Sequence, residues 1–210
     1  MNIVEKFDIA KNNVLEIVIP EFKDKYNYYY EPTQFLNKFD EVSVILRLDD
    51  KECVIMTEII QDIACALRFR LKNALQNKAI LPPHITLGEL NLFYSREDYK
   101  NYWQDENLPF ACTVDYQQFW LWSTSGKTQS WMYNHDGKIY LEIGEIYKNP
   151  DTDERDDRLF AAYIKNYKPL FIGEIKYDVA REWLHKSERL ISIIDSEYAL
   201  NFSQINDGEQ

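Results

Sequence analysis

The stretch Ser125-Gly126-Lys127-Thr128 comes nearest to a recognisable chemistry. Gly-Lys-Thr ends the phosphate-binding loop of many nucleotide hydrolases, where backbone N–H groups and a helix N-terminus cradle phosphate. That loop also needs a glycine five positions earlier and a helix afterwards. Position 121 is leucine, and Gln129-Ser130-Trp131-Met132-Tyr133 reads as extended. The order is an aromatic run from Phe119 to Trp122, a glycine turn, a second aromatic run, an Asp136-Gly137 turn, and Ile139-Tyr140-Leu141-Glu142-Ile143. This predicts a three-stranded antiparallel meander with Lys127 on a hairpin tip, not an ATP site.

Other reactive residue types are scattered. His84, His135 and His185 show no His-x-x-x-His spacing and stand beside no cysteine pair, so no metal site is expected. No Gly-x-Ser-x-Gly elbow exposes a serine. The run Asp151-Thr152-Asp153-Glu154-Arg155-Asp156-Asp157 opens like a calcium loop. Its fifth, sixth and twelfth positions are Arg155, Asp156 and Ala162, which do not fit that loop. An acidic turn leading into a helix is the plain reading, and an acidic patch offered to a cationic partner is the functional one.

Asp151, Asp153, Glu154, Asp156 and Asp157 are therefore candidate partner-binding residues. Tyr28, Tyr29, Tyr30 and Glu31 join them, from the segment Tyr26-Asn27-Tyr28-Tyr29-Tyr30-Glu31-Pro32. Tyrosine offers a large contact area, a polar tip and a low entropy cost at interfaces.

Composition narrows the class. A chain of 210 residues with 45% apolar content supports a core and reads as one domain over 1–210, with a polar tail from about 201. Six glycines make Gly-rich cofactor loops improbable, and no cofactor is expected. A formal charge of −11 repels nucleic-acid phosphates and attracts a basic partner. No apolar run is long enough to span a bilayer, and Met1-Asn2-Ile3-Val4-Glu5-Lys6 does not resemble a signal peptide. Cys53, Cys65 and Cys112 form no framework, so a reduced, cytoplasmic setting is expected.

The elements that must position these residues follow from periodicity. Strands are expected over Val14–Ile19, Val42–Leu48, Leu87–Phe93 and Leu170–Ile175, besides the meander. Met56, Ile59, Ile60, Ile63, Leu67 and Leu71 recur at three and four, predicting a helix stopped before Pro82-Pro83. Ser95-Arg96-Glu97-Asp98 resembles an N-cap opening a short helix through Trp103. Further helices are expected over about 156–166 and 177–198. In the meander, Trp120 and Trp122 are expected on one face, with Phe119 and Leu121 on the other. The class is α+β, with a largely antiparallel sheet packed by helices.

Trp122-Ser123, Trp131, Gly137-Lys138-Ile139-Tyr140-Leu141-Glu142-Ile143, Tyr167-Lys168-Pro169 and Trp183-Leu184 together resemble a family of uncharacterised bacterial proteins, over roughly the C-terminal half. In general character the chain is also similar to immunity proteins of bacterial toxin–immunity systems. The expectation is a binding protein that neutralises a basic toxin domain by direct contact. The alternative is a hydrolase or transferase whose residues, with His84, His135, Asp136 and Glu142 as candidates, converge only in space.

Overall fold

The computed structural model describes residues 2–10, 12–19, 38–49, 51–103, 112–123, 128–147 and 156–206. It is α+β, with two four-stranded antiparallel sheets and four α-helices among the described residues. The sequence reads as one domain over 1–210; the chain gathers into two compact units, Met1–Leu71 with Asp178–Gln210, and Lys72–Tyr177.

The first unit is a meander of β1 (Asn2–Ala10), β2 (Asn13–Ile19), β3 (Glu41–Leu48) and β4 (Lys51–Ile59), paired in chain order. Phe7, Leu15, Ile17, Val44 and Leu46 are all within 1% of full burial. Helix α4 (Tyr177–Asn206) carries Trp183, whose ring meets Phe7 edge-on at 5.4 Å. The Trp183 indole N–H donates to the Asp8 carbonyl at 3.0 Å, so this aromatic is buried with its polar atom satisfied.

On β2, Glu16 is 2% exposed yet ion-paired to Lys6 at 2.9 Å and to Arg47 at 2.7 Å. Burial works against its charge, but the hydrogen bonds and fields of Arg47 and Lys6 outweigh it and hold the carboxyl below its ordinary value.

Three expectations are corrected in and around this unit. Met56 and Ile59 belong to β4, and helix α1 (Ile60–Leu75) begins only afterwards. The apolar spacing runs on from strand to helix, because Met56 and Ile59 continue the Ile60, Ile63, Leu67, Leu71 stripe by coincidence of period. Strands β1 and β4 carry charges among their apolar residues, which hid them in the sequence. Helix α4 extends to Asn206, beyond the expected Tyr198.

The second unit holds β5 (Trp120–Ser123), β6 (Thr128–His135), β7 (Lys138–Glu145) and β8 (Phe171–Ile175), again in chain order. The first three are the expected meander. The β6–β7 turn places Asp136 at φ 48° and Gly137 at φ 69°, the two positive values of a type I′ hairpin. Seven successive residues of β6, Thr128 to Asn134, are buried, so both faces of this strand are covered.

The expected alternation in β5 fails at a register shift between Trp120 and Trp122. Trp120 is 42% exposed, while Trp122, Leu121 and Phe119 are all buried.

Helix α2 (Leu90–Tyr102) lies against β6 and β7. This corrects the strand expected over Leu87–Phe93. It also corrects the N-cap expected at Ser95, which sits inside the helix with its hydroxyl donating to the Asn91 carbonyl at 2.9 Å. Helix α3 (Asp157–Asn166) falls where expected.

Candidate functional site

Polar chemistry in the second unit concentrates where α2 and α3 meet the sheet. Cross-strand register puts Trp131 opposite Glu142, Tyr133 opposite Tyr140, and Glu142 opposite Ile172, all on one face. The helix α2 begins over this face. Its N-cap residue, Glu89, offers no side-chain hydrogen bond, so the first amides need another acceptor.

Glu142, fully buried, supplies it. Oε1 accepts from the Asn91 N–H at 2.9 Å, and Oε2 from the Leu90 N–H at 3.3 Å and the Tyr133 hydroxyl at 2.6 Å. Tyr133 in turn accepts from the Gly88 N–H at 3.2 Å. Asn91 completes the cluster, accepting from the Trp131 indole N–H at 3.1 Å and donating to the Glu145 carbonyl at 2.7 Å.

Burial pushes the Glu142 carboxyl above its ordinary value, against the opposing hydrogen bonds from Tyr133, the Asn91 and Leu90 amides, and Tyr167. Burial, and then the neighbouring Glu142, raise the phenols of Tyr133 and Tyr167. A carboxylate so enclosed and so fully bonded fastens a helix to a sheet.

A second enclosed carboxylate, Glu97, is 8% exposed. It accepts from the Thr113 N–H at 3.0 Å, the Thr113 hydroxyl and the Tyr116 hydroxyl at 2.7 Å. Burial raises the Asp98 carboxyl beside it, and burial with Glu97 and Asp98 raises the exposed Cys112 thiol, which suppresses the nucleophilic thiolate.

Beyond these clusters α2 and α3 meet through packed aromatic rings, with Asp156, Asp157 and the exposed Arg158 at the start of α3. Tyr99 of α2 stacks on Phe160 of α3 at 3.8 Å and 10°. Tyr147 meets both rings edge-on, at 5.4 Å and 4.9 Å. Tyr102, one turn beyond Tyr99, is 58% exposed, and Leu159, beside Phe160, is 56% exposed. At the start of α3 the Asp156 carboxylate caps the helix, accepting from the Arg158 and Leu159 amides at 2.9 Å and 3.2 Å. Asp157 accepts from the Tyr99 hydroxyl at 3.1 Å.

Of the sequence-derived binding candidates, Asp156 and Asp157 lie at the start of α3, the first bonded to the helix amides and the second to the Tyr99 hydroxyl. Tyr28, Tyr29, Tyr30, Glu31, Asp151, Asp153 and Glu154 lie outside the described residues. Tyr102 and Leu159 were missed in the sequence; their only signal there is an apolar residue on a short helix.

The four candidate catalytic residues are not gathered by the sheet. His135 is paired with Lys138 and Glu142 with Trp131, four residues further along the same strands, or roughly 13 Å at strand rise. His135 and Asp136 approach each other at 3.4 Å on the hairpin turn. His84 borders a shallow cleft of about 90 Å³ with Glu89, Phe93 and Arg96, room for a few waters. His185 lies exposed on α4. Among the described residues, no group of three or more His, Cys, Asp or Glu is placed to hold a metal ion. No described helix is long and apolar enough to cross a membrane.

Gly126 and Lys127 lie outside the described residues, but Thr128 opens β6, which pairs antiparallel with β5. A strand therefore follows the Gly-Lys-Thr letters where a phosphate loop requires a helix.

No protein-family model, curated protein or solved structure matches this chain.

Proposed function

We propose that the chain is an immunity-type binding protein that neutralises a basic toxin domain by direct contact. The observation that carries the reading is the surface where α2 meets α3. Tyr102 on α2 and Leu159 on α3 are exposed, the two helices meet in the Tyr99–Phe160 stack, and Asp156 and Asp157 open α3. An exposed apolar centre with a charged border is the arrangement of a protein-binding surface. The whole chain, at −11, adds an attractive long-range field for a cationic partner.

In this mechanism the acidic field orients the toxin domain before contact, and the aromatic surface holds it afterwards. Glu142 and Glu97, closed off by their own hydrogen bonds, serve to hold that surface in shape.

The test is co-expression with the protein encoded immediately upstream in the source genome. The expected result is that this basic protein arrests growth alone and not in the presence of the chain, and that the purified pair associates more slowly as salt rises. A non-toxic upstream product, or toxicity unaffected by the chain, defeats the proposal.

A further inference from the structure

Helix α3 lies on the connection between two strands that pair with each other. The chain leaves β7, forms α3 and returns as β8, and Ile143 stands opposite Phe171 in the ladder. Lifting the helix therefore breaks no strand pairing. None of its ten residues is buried. The other three described helices all carry fully buried side chains, among them Ile63, Leu90 and Trp183.

Ring faces and hydroxyls hold α3 instead of a buried stripe. Phe160 stacks on Tyr99 and meets Tyr147 edge-on. The Tyr163 hydroxyl donates to the Glu145 carbonyl at 2.9 Å and lies 3.0 Å from the Ser95 hydroxyl. The Tyr147 ring touches both Phe160 and Tyr163, and its hydroxyl is buried with no hydrogen-bond partner among the described residues. The closed position thus leaves one polar group unsatisfied, which works against closure. At the far end the helix stops at Tyr167, whose backbone is extended at φ −55° and ψ 132° and leads to Pro169. The Tyr167 hydroxyl reaches Glu142 at 3.5 Å, so this end stays tied to the sheet.

We propose that α3 is a hinged strap, which lifts as a unit from Tyr99 and Tyr147 and pivots at Tyr167 while α2 and its sheet stay folded. Opening uncovers the Tyr99 ring, 2% exposed when the strap is closed, and lets water reach the Tyr147 hydroxyl. Access to these two rings is set by the opening equilibrium.

The inference stands apart from the toxin reading, and its test needs no partner. Hydrogen exchange of the full chain, read by mass spectrometry and residue by residue by NMR, follows the opening. The amides of α3 are expected to exchange about a hundredfold or more faster than those of α2, β6 and β7. Low urea should change the α3 rates little, because a local opening exposes little surface. Phe160→Ala should speed exchange in α3 about tenfold or more and leave β6 and β7 as they were. Tyr147→Phe should slow it, because the closed state no longer buries an unpartnered hydroxyl. Circular dichroism of both variants checks that the fold is kept. Protection of α3 equal to that of β6 and β7 overturns the proposal. So does a Phe160→Ala effect that is absent from α3 or spread equally over the whole unit.

Discussion

Glu142 caps a helix from which it is separated by about fifty residues of chain: its Oε1 accepts from the Asn91 N–H at 2.9 Å, and Oε2 from the Leu90 N–H at 3.3 Å. Removing that carboxylate leaves two buried amides and the Tyr133 hydroxyl without their acceptor. Glu142→Ala is therefore expected to cost about 3–5 kcal/mol in urea unfolding. A loss below about 1 kcal/mol would mean that water or another side chain replaces it.

Opposite pH responses are expected from the two units' buried glutamates. Glu142 has a folded pKa above the ordinary 4.5, so its contribution is full below that value and lost as pH rises through the folded one. Glu16 has a folded pKa below 4.5, so its contribution is present above that value and lost as pH falls through the folded one. Unfolding free energies of the chain, Glu142→Gln and Glu16→Gln, from about pH 3 to about pH 8, provide the check. The wild-type advantage over Glu142→Gln should shrink with rising pH, and that over Glu16→Gln should shrink with falling pH. Parallel slopes for the two variants would contradict the assigned environments.

Gly144 makes room for the polar cluster. A Cβ there would lie 2.5 Å from Asn91 Nδ2 and 2.6 Å from the Tyr167 hydroxyl. Gly144→Ala should cost about 1–3 kcal/mol by overpacking. Adding Tyr167→Phe removes one of the crowded atoms, so the double variant should lose less than the sum of the singles. Simple additivity in thermal melts would place the strain elsewhere.

Ile63, fully buried on α1, continues the apolar stripe that remains after Met56 and Ile59 are assigned to β4. Ile63→Ala is expected to lose about 2–5 kcal/mol through transfer and cavity terms. A change under about 0.5 kcal/mol would show that the helix packs without it.

Steering and anchoring by the proposed docking surface separate kinetically. Asp156→Asn with Asp157→Asn keeps a capping side chain at position 156 while removing two charges, and should slow association with the basic partner. Tyr102→Ala with Leu159→Ala should instead speed dissociation. Surface plasmon resonance at two salt concentrations distinguishes the pairs. Unchanged rates in both would move the contact away from α2 and α3.

The sequence determined the parts of this fold that depend on near neighbours. The β5–β7 meander was legible because each strand carries its own aromatic or β-branched run, and Asp136-Gly137 dictates its own turn. The start of α3 was legible because Asp156 caps amides only two and three residues away. The acidic charge, and with it the cationic character of the proposed partner, needs no structure at all.

Tertiary structure decided what depends on residues far apart. Leu87–Phe93 looks like a strand by composition, yet α2 begins at Leu90 because Glu142 satisfies its first amides from about fifty positions away. The same distance hid the candidate surface. Tyr99 and Phe160 are unremarkable in the sequence; they become a 3.8 Å stack only once α2 and α3 pack together. Local patterning carries periodicity and turn chemistry, whereas a buried carboxylate's donors and an interface's neighbours are chosen by packing.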